Sequence, residues 1–306
     1  MTVFTVIVLG ATGGVRENNL SCYLVGANPL EGFVALDAGS LLSGIEWAYQ
    51  KKNLSEIPLE DAVLTPIGKF FQQYIKAYLI SHVHLDHIYG LVINSQTDSP
   101  KAILGLDSTI DFLRDHIFNG VIWPNYGSEG TNPIGRYRYT RLSLNQSVAI
   151  PGLSLTVEPF LLSHPGNYPS TAFLLFSEGH ALLYFGDTAS DLFEKTKRMR
   201  LVWERVAPLL KKGLLRGIFL ECSYPNEHPK TVNYGHLTPD LMLEELGHLS
   251  TLAGTSLKGL SVIVTHRKDT LRQGEDQKET ILHQLKEKDP FGVRWIAPIQ
   301  GERILL

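Results

Sequence analysis

The sequence predicts an α/β fold in which two β-sheets stack face to face with helices on their outer sides. Short apolar runs rich in Val, Ile, Leu and Phe alternate with longer stretches at helical spacing. These runs form two successive blocks, each with strands first and covering helices after. No linker, low-complexity run or short-period repeat divides the 306 residues, a length that suits one large layered domain over 1–306.

Thr2 to Leu9 alternates and reads as the first strand, and Leu20 to Val25 as the second. Between them, Gly10-Ala11-Thr12-Gly13-Gly14 lacks the Lys-Ser/Thr ending or the full dinucleotide spacing of a phosphate cradle. A tight strand connection lining a nearby site is the better reading. Phe33 to Leu36 is a strand ending in Asp37-Ala38-Gly39, and Leu41 to Tyr74 holds two or three short helices interrupted at Pro58 and Pro66. Lys76 to Ser81 is a buried strand, Ile103 to Leu106 another, and Ser108 to Phe118 a helix with Asp/Ser-type starting chemistry. The Gly- and Pro-rich stretch from Phe118 to Gly135 is a long loop. Trp123, Asn125 and Tyr126 on it, and Tyr168 beyond it, are candidates for base contacts, although packing explains the loop's aromatics equally well.

A second block opens at Tyr137, with strands at Arg138 to Leu142, Leu153 to Pro159, Thr171 to Phe176 and Ala181 to Phe185. Asp191 to Lys212 reads as one long amphipathic helix and Gly217 to Leu220 as a strand. Thr238 to Leu249 is a helix with Thr at its cap and Pro in its first turn. A strand at Leu260 to Thr265, a charged helix at Glu275 to Lys288 and two short strands complete the chain.

The formal net charge of −3 is spread along the chain, so nothing suggests a surface that tracks long nucleic acids. A small anionic substrate needs only local positive charge. Cys22 and Cys222 are too few for a disulfide framework and are not spaced as a metal pair. Met1 to Leu9 lacks a basic leader, and no run approaches the ~18 apolar residues of a membrane span, so a soluble cytoplasmic protein without a membrane partner is expected.

Chemistry concentrates at His82-Val83-His84-Leu85-Asp86-His87, where three imidazoles and a carboxylate crowd a strand-to-helix turn. Neutral imidazole nitrogens and carboxylate oxygens converging at such a turn make the mixed ligand set that zinc and similar divalent ions prefer. Three more metal-competent side chains follow apolar strands: His164 after Phe160-Leu161-Leu162-Ser163, Asp187 after Leu182 to Gly186, and His266 after Val262-Ile263-Val264-Thr265. Strand ends of a layered fold collect at one edge. Each of the three alone is an ordinary turn residue; their order after the six-residue cluster gives them weight.

That order, His-x-His-x-Asp-His, then His, Asp and His, resembles the metallo-β-lactamase superfamily from Asp37-Ala38-Gly39 to His266. More narrowly, His82 to Ser95 is similar to the signature of the class II cyclic-nucleotide phosphodiesterases and departs from it at Gln96. The opening Val-Leu-Gly-Ala-Thr-Gly-Gly, Phe118-Asn119 with Ile122-Trp123-Pro124-Asn125, and Gly235-His236-Leu237-Thr238-Pro239 also look like that family. The resemblance implies a four-layered αββα sandwich and two divalent metal ions, zinc in the first instance with manganese or iron also fitting. It implies one metal held by His82, His84 and His164, a second by Asp86, His87 and His266, and Asp187 bridging them.

Such a pair, about 3.5–4 Å apart, can hold a hydroxide and clamp the attacking and leaving oxygens of a phosphoryl transfer. The expected reaction is in-line attack on a 3′,5′-cyclic nucleotide, cyclic AMP or cyclic GMP, giving the 5′-monophosphate. Asp86 would orient the hydroxide. His236 would protonate the leaving 3′-oxygen with Glu221 fixing its tautomer, a pairing similar to that of RNase Z-type endonucleases. Three rivals share parts of this pattern: an RNA 3′-processing endonuclease, a lactone or thioester hydrolase, and a catalytically silent metal scaffold. The RNA-processing enzymes grip RNA with a protruding basic arm, and no such insertion stands in this sequence. A homodimer is expected from the resemblance alone.

Overall fold

The computed structural model describes residues 2–229 and 234–306. Among them, fourteen strands form two sheets of seven. In chain order the strands are β1 (Thr5–Gly10), β2 (Cys22–Gly26), β3 (Phe33–Leu36), β4 (Ile75–Leu79), β5 (Lys101–Gly105), β6 (Tyr137–Arg141) and β7 (Val148–Ala149). They continue as β8 (Thr156–His164), β9 (Tyr168–Ser177), β10 (His180–Phe185), β11 (Leu215–Glu221), β12 (Ser261–Thr265), β13 (Arg294–Ile296) and β14 (Arg303–Leu305). The principal helices are α1 (Leu42–Gln50), α2 (Pro66–Lys69), α3 (Leu85–Asn94), α4 (Asp107–Phe112), α5 (Asp191–Glu194), α6 (Arg198–Lys211), α7 (Pro239–Ala253) and α8 (Gln277–Lys288).

The layering follows from a two-residue side-chain period in strands that are buried on both faces. Val6 and Val8 of β1 join Leu182 and Tyr184 of β10, Phe219 of β11 and Ile263 of β12 in a core between the sheets. The intervening residues Ile7 and Leu9 face outward onto Ile45 and Ala48 of α1 and Ile88 and Leu91 of α3. On the other side, Leu183 and Phe185, Ile218 and Leu220, and Val262 and Val264 pack against Val202 and Trp203 of α6, Met242 and Leu246 of α7 and Ile281 and Leu285 of α8. Helix, sheet, sheet and helix therefore lie in that order, as the sequence leads one to expect. No helix among the described residues is long and apolar enough to cross a membrane.

The sheets do not divide at Tyr137 as the two-block pattern suggests. Strand β6 crosses over to pair parallel with β5, which leaves it at the edge of the first sheet. The last strand, β14, returns to pair antiparallel with β1 at the opposite edge. Chain order therefore assigns these two strands to the wrong sheet, whereas register places them in the first.

Two helices also differ from the sequence reading. The stretch 191–212 is two helices, broken where Lys195 takes a left-handed conformation at φ 55°. The Asp191 carboxylate holds the break: Oδ1 accepts from Thr196 Oγ1 at 2.8 Å and the Met199 amide at 3.0 Å, and Oδ2 accepts from the Arg200 amide at 2.9 Å. One side chain thus satisfies amides that open α6. Helix α4 begins at Asp107, one residue before the expected start, has no side-chain cap at Leu106, and continues from Leu113 to Ile117 as a π-helical turn.

Candidate metal centre

Helix α3 begins at Leu85, so only His82 and His84 lie on the turn after β4, while Asp86 and His87 stand in the helix's first turn. An acidic residue is favoured there by the helix dipole. The chain reaches this geometry through close backbone contact. A Cβ at Gly90 would lie 2.9 Å from the Leu41 amide and 3.0 Å from the Ala38 carbonyl, and one at Gly39 would lie 2.2 Å from the Asp86 carbonyl. These glycines let α3 lie on the Asp37-Ala38-Gly39 turn. The opening Gly-rich turn lines the site as expected: a Cβ on Gly13 would stand 2.2–2.5 Å from atoms of the His266 imidazole.

The other three side chains arrive from the second sheet. His164 is the last residue of β8, not the residue after a strand, because pairing with β9 continues through His164 and Tyr168. Asp187 follows β10 and His266 follows β12. His266 has φ 56° and Asp37 φ 55°, left-handed conformations that cost a non-glycine residue of order 1–3 kcal/mol and cluster at functional sites.

All seven residues meet. Ligand-competent atoms of His82, His84, His164 and Asp187 lie within 4.8 Å of one another, and so do those of Asp86, His87 and His266. Asp187 Oδ1 is 3.2 Å from His87 Nε2; Oδ2 is 3.2 Å from His266 Nε2 and 3.8 Å from both His82 Nε2 and His164 Nε2. His266 Nε2 stands 3.1 Å from Asp86 Oδ2. Tetrahedral ligands at about 2.1 Å from an ion sit about 3.4 Å apart, so this spacing fits a donor set arranged around ions. His82 Nε2 and His87 Nε2 are buried with no hydrogen-bond partner, the condition a metal would relieve.

The tautomers point the same way. Ser81 Oγ donates to Asp37 Oδ2 at 2.8 Å and so accepts from His82 Nδ1 at 3.0 Å. His87 Nδ1 donates to the same Asp37 oxygen at 2.8 Å, and the Ser81 amide and Tyr184 hydroxyl complete that carboxylate's shell. A parallel chain serves the far side. Ser223 Oγ donates to Glu221 Oε2 at 3.0 Å and accepts from His266 Nδ1 at 2.8 Å, while His236 Nδ1 donates to Glu221 Oε1 at 2.8 Å. His164 Nδ1 donates to the Gly235 carbonyl at 2.9 Å. Five imidazoles thus spend Nδ1 on the protein, and four of them, His82, His87, His164 and His266, turn Nε2 to Asp187.

Burial holds most of these rings neutral, as ligands must be. It pushes His164 down to about 3 and His82 and His266 below their ordinary value. His87 differs: burial alone would lower it, but the Asp187 and Asp37 carboxylates on either side outweigh that and hold it well above the usual range. Burial also opposes ionisation of Asp187, yet the neighbouring His266 and His87 keep its carboxyl well below the carboxylate range. An ion at His87 Nε2 must therefore displace a proton, and its apparent affinity rises with pH.

Sequence reasoning passed over Asp37, Ser81, Ser223 and the Gly235 carbonyl as orienting groups. A signal existed for Asp37, which follows an apolar strand as Asp187 and His266 do. Asp37→Asn removes an acceptor shared by both halves of the cluster, and metal affinity is expected to fall about 10–100-fold in competition with a chromogenic chelator.

The loop aromatics belong to packing. Trp123 Nε1 donates to Ser95 Oγ at 2.9 Å, Asn125 folds the loop by donating to the Glu129 and Thr131 carbonyls, and both Trp123 and Tyr126 pack on the outer core of the first sheet. Tyr168 alone of the four reaches the centre, stacked on His84 with ring centroids 4.8 Å apart. His236 is buried beside the cluster, its ring 5.0 Å from His266 and 4.8 Å from His164.

A family model described as cAMP phosphodiesterases class-II matches residues 2–301. A 3′,5′-cyclic-nucleotide phosphodiesterase of Aliivibrio fischeri is 38% identical over 304 residues, covering 98% of this chain and 92% of that protein. The crystal structure of unliganded yeast PDE1 superposes with a TM-score of 0.88 at 26% identity, covering 100% of both chains. YhfI of Bacillus subtilis, described as a metallo-β-lactamase fold protein, covers 100% of both chains at a TM-score of 0.62 and 16% identity, a likeness of fold alone.

Proposed function

Because the chain belongs to the class-II cAMP phosphodiesterases and is a hydrolase of 3′,5′-cyclic nucleotides, we propose that the seven-residue centre is where that hydrolysis takes place. The observation that carries the reading is the convergence of two ligand groups on Asp187. His82, His84 and His164 would hold one divalent ion, Asp86, His87 and His266 a second, and Asp187 both. The imidazole and carboxylate set favours zinc. Bound there, two such ions supply a water acidic enough to attack at neutral pH and draw charge from the phosphoryl oxygens.

The chain's own residues do the rest. Asp86, partly exposed at the start of α3, accepts a hydrogen bond from the attacking water and aims its lone pair at phosphorus. Attack on the cyclic diester breaks the bond to the 3′-oxygen, which leaves as an alkoxide in need of a proton. With His236 Nδ1 committed to Glu221, the proton offered to that oxygen sits on Nε2. Glu221 is fixed in turn by the Ser223 hydroxyl and by the Thr188 amide at 3.2 Å. Both groups are buried, so water does not compete for the pair.

Purified protein supplied with zinc is expected to convert cyclic AMP and cyclic GMP to 5′-monophosphates, followed by chromatography, and to leave acyl lactones and transfer-RNA precursors intact. Release of 3′-monophosphates instead would place the leaving group on the wrong oxygen and refute the geometry.

A further inference from the structure

Five imidazoles at the centre are aimed by hydrogen bonds at Nδ1: His82, His87, His164, His236 and His266. The sixth, His84, makes no ring hydrogen bond among the described residues, although it stands in the same donor group as His82, His164 and Asp187. It is also half-buried, whereas His82 and His164 are buried. A partly exposed ring with nothing to hold it would spread over several rotamers, and fixing it would cost binding energy.

What faces His84 instead is Tyr168. The two rings lie 14° from parallel with centroids 4.8 Å apart, within the range of an offset stack. Phe112 of α4 stacks on Tyr168 in turn, at 5.7 Å and 16°. His82 and His164 stand edge-on to His84 at 4.7 and 5.1 Å. A run of near-parallel rings therefore links helix α4 to the one imidazole that hydrogen bonds leave unaimed.

Local structure puts Tyr168 there. It opens β9 and pairs with His164, the last residue of β8, so the two are cross-strand partners on one face of the hairpin. The turn between them, Pro165–Asn167, takes left-handed conformations at Gly166 and Asn167, both with φ 67°, and these residue types adopt that region most readily. One tight hairpin thus delivers His164 to the centre and the ring that rests on His84.

We propose that Tyr168, backed by Phe112, is a positioning residue that sets the His84 ring for the ion held by His82, His84 and His164. This rests on the two-metal reading of the centre.

Zinc binding to chelator-treated protein, in competition with a chromogenic chelator, tests it. Tyr168→Leu should weaken one of the two zinc equivalents about 10-fold or more and leave the other within about threefold. Tyr168→Phe, which keeps the stacked ring, should hold both within about threefold of the unaltered protein. Introduced into His84→Ala, Tyr168→Leu should add less than about threefold, because the ring acts only through His84. Phe112→Leu should shift the same equivalent in the same direction and serves if Tyr168→Leu does not fold. With zinc saturating, the ratio of kcat/KM for cyclic AMP to that for methyl p-nitrophenyl phosphate, a diester without a nucleoside, should stay within about threefold in Tyr168→Leu. Unmoved zinc constants in the folded variants overturn the proposal. Equal losses at both equivalents, a further loss in the His84→Ala background, or a fall in the substrate ratio overturn it too. If the unaltered protein binds fewer than two zinc equivalents, the reading of the centre itself fails and takes the positioning role with it. Two equivalents whose constants Tyr168→Leu does not move sink the positioning role alone.

Discussion

Asp187→Ala is expected to lower kcat/KM for cyclic AMP by about 10³-fold or more, which corresponds to about 4 kcal/mol of transition-state stabilisation. The Asp187 carboxylate is placed against members of both ligand groups, with Oδ1 facing His87 and Oδ2 facing His82, His164 and His266. Without it two cations would face each other with no carboxylate between them, and both bind more weakly. The imidazoles keep their orienting bonds to Asp37, Ser223 and the Gly235 carbonyl, so the fold should survive. Metal content by mass spectrometry should drop together with activity while circular dichroism stays native. A variant with one full metal equivalent lost and rate preserved would show that the second ion is not needed.

The second large effect belongs to His236. For cyclic AMP the leaving group is an alkoxide that departs poorly without a proton, and general acid catalysis contributes typically about 10²–10⁴-fold. His236→Ala should cost a factor in that range on cyclic AMP and far less on a diester whose leaving group is a nitrophenolate. The buried Glu221 gives a companion result: Glu221→Gln can no longer accept from both His236 and Ser223 in the same way, so it should reproduce part of the loss. Equal slowing of both substrates by His236→Ala would assign His236 to holding the centre together, a role its place within 4.8 Å of Asp187 and His266 also allows.

Much of this cluster was legible in the sequence because the residues proposed as its ligands obey a simple rule. Asp187 and His266 each follow an apolar strand, and the ends of such strands meet at one edge when two sheets stack. His82 to His87 carries its own signature of type and spacing. The supporting groups were harder to read because hydrogen-bond partners are set by tertiary distance: Ser81 and Ser223 look like any loop serine, and Gly235 contributes a carbonyl that every residue possesses. Asp37 shows the limit from the other side. It follows an apolar strand as the ligands do, yet spends its carboxylate on Ser81, His87 and Tyr184.

The fold shows the same division. Short, continuous apolar runs made the sandwich readable strand by strand, but β6 and β14 joined the first sheet through long-range pairing that local pattern does not encode. The break at Lys195 escaped because Glu194 to Arg198 contains neither Gly nor Pro to mark a helix end. Only the reach of the Asp191 carboxylate to the Thr196 hydroxyl and the Met199 and Arg200 amides shows where α6 starts afresh.

The most direct measurement is zinc titration of chelator-treated protein, with bound metal, melting temperature and cyclic AMP hydrolysis followed together. Two equivalents per chain should bind, the melting temperature should rise as they do, and activity absent from the stripped protein should return only as the second equivalent is filled. Full hydrolysis by protein stripped of metal, or a stoichiometry of two reached without any cyclic-nucleotide turnover, would contradict it.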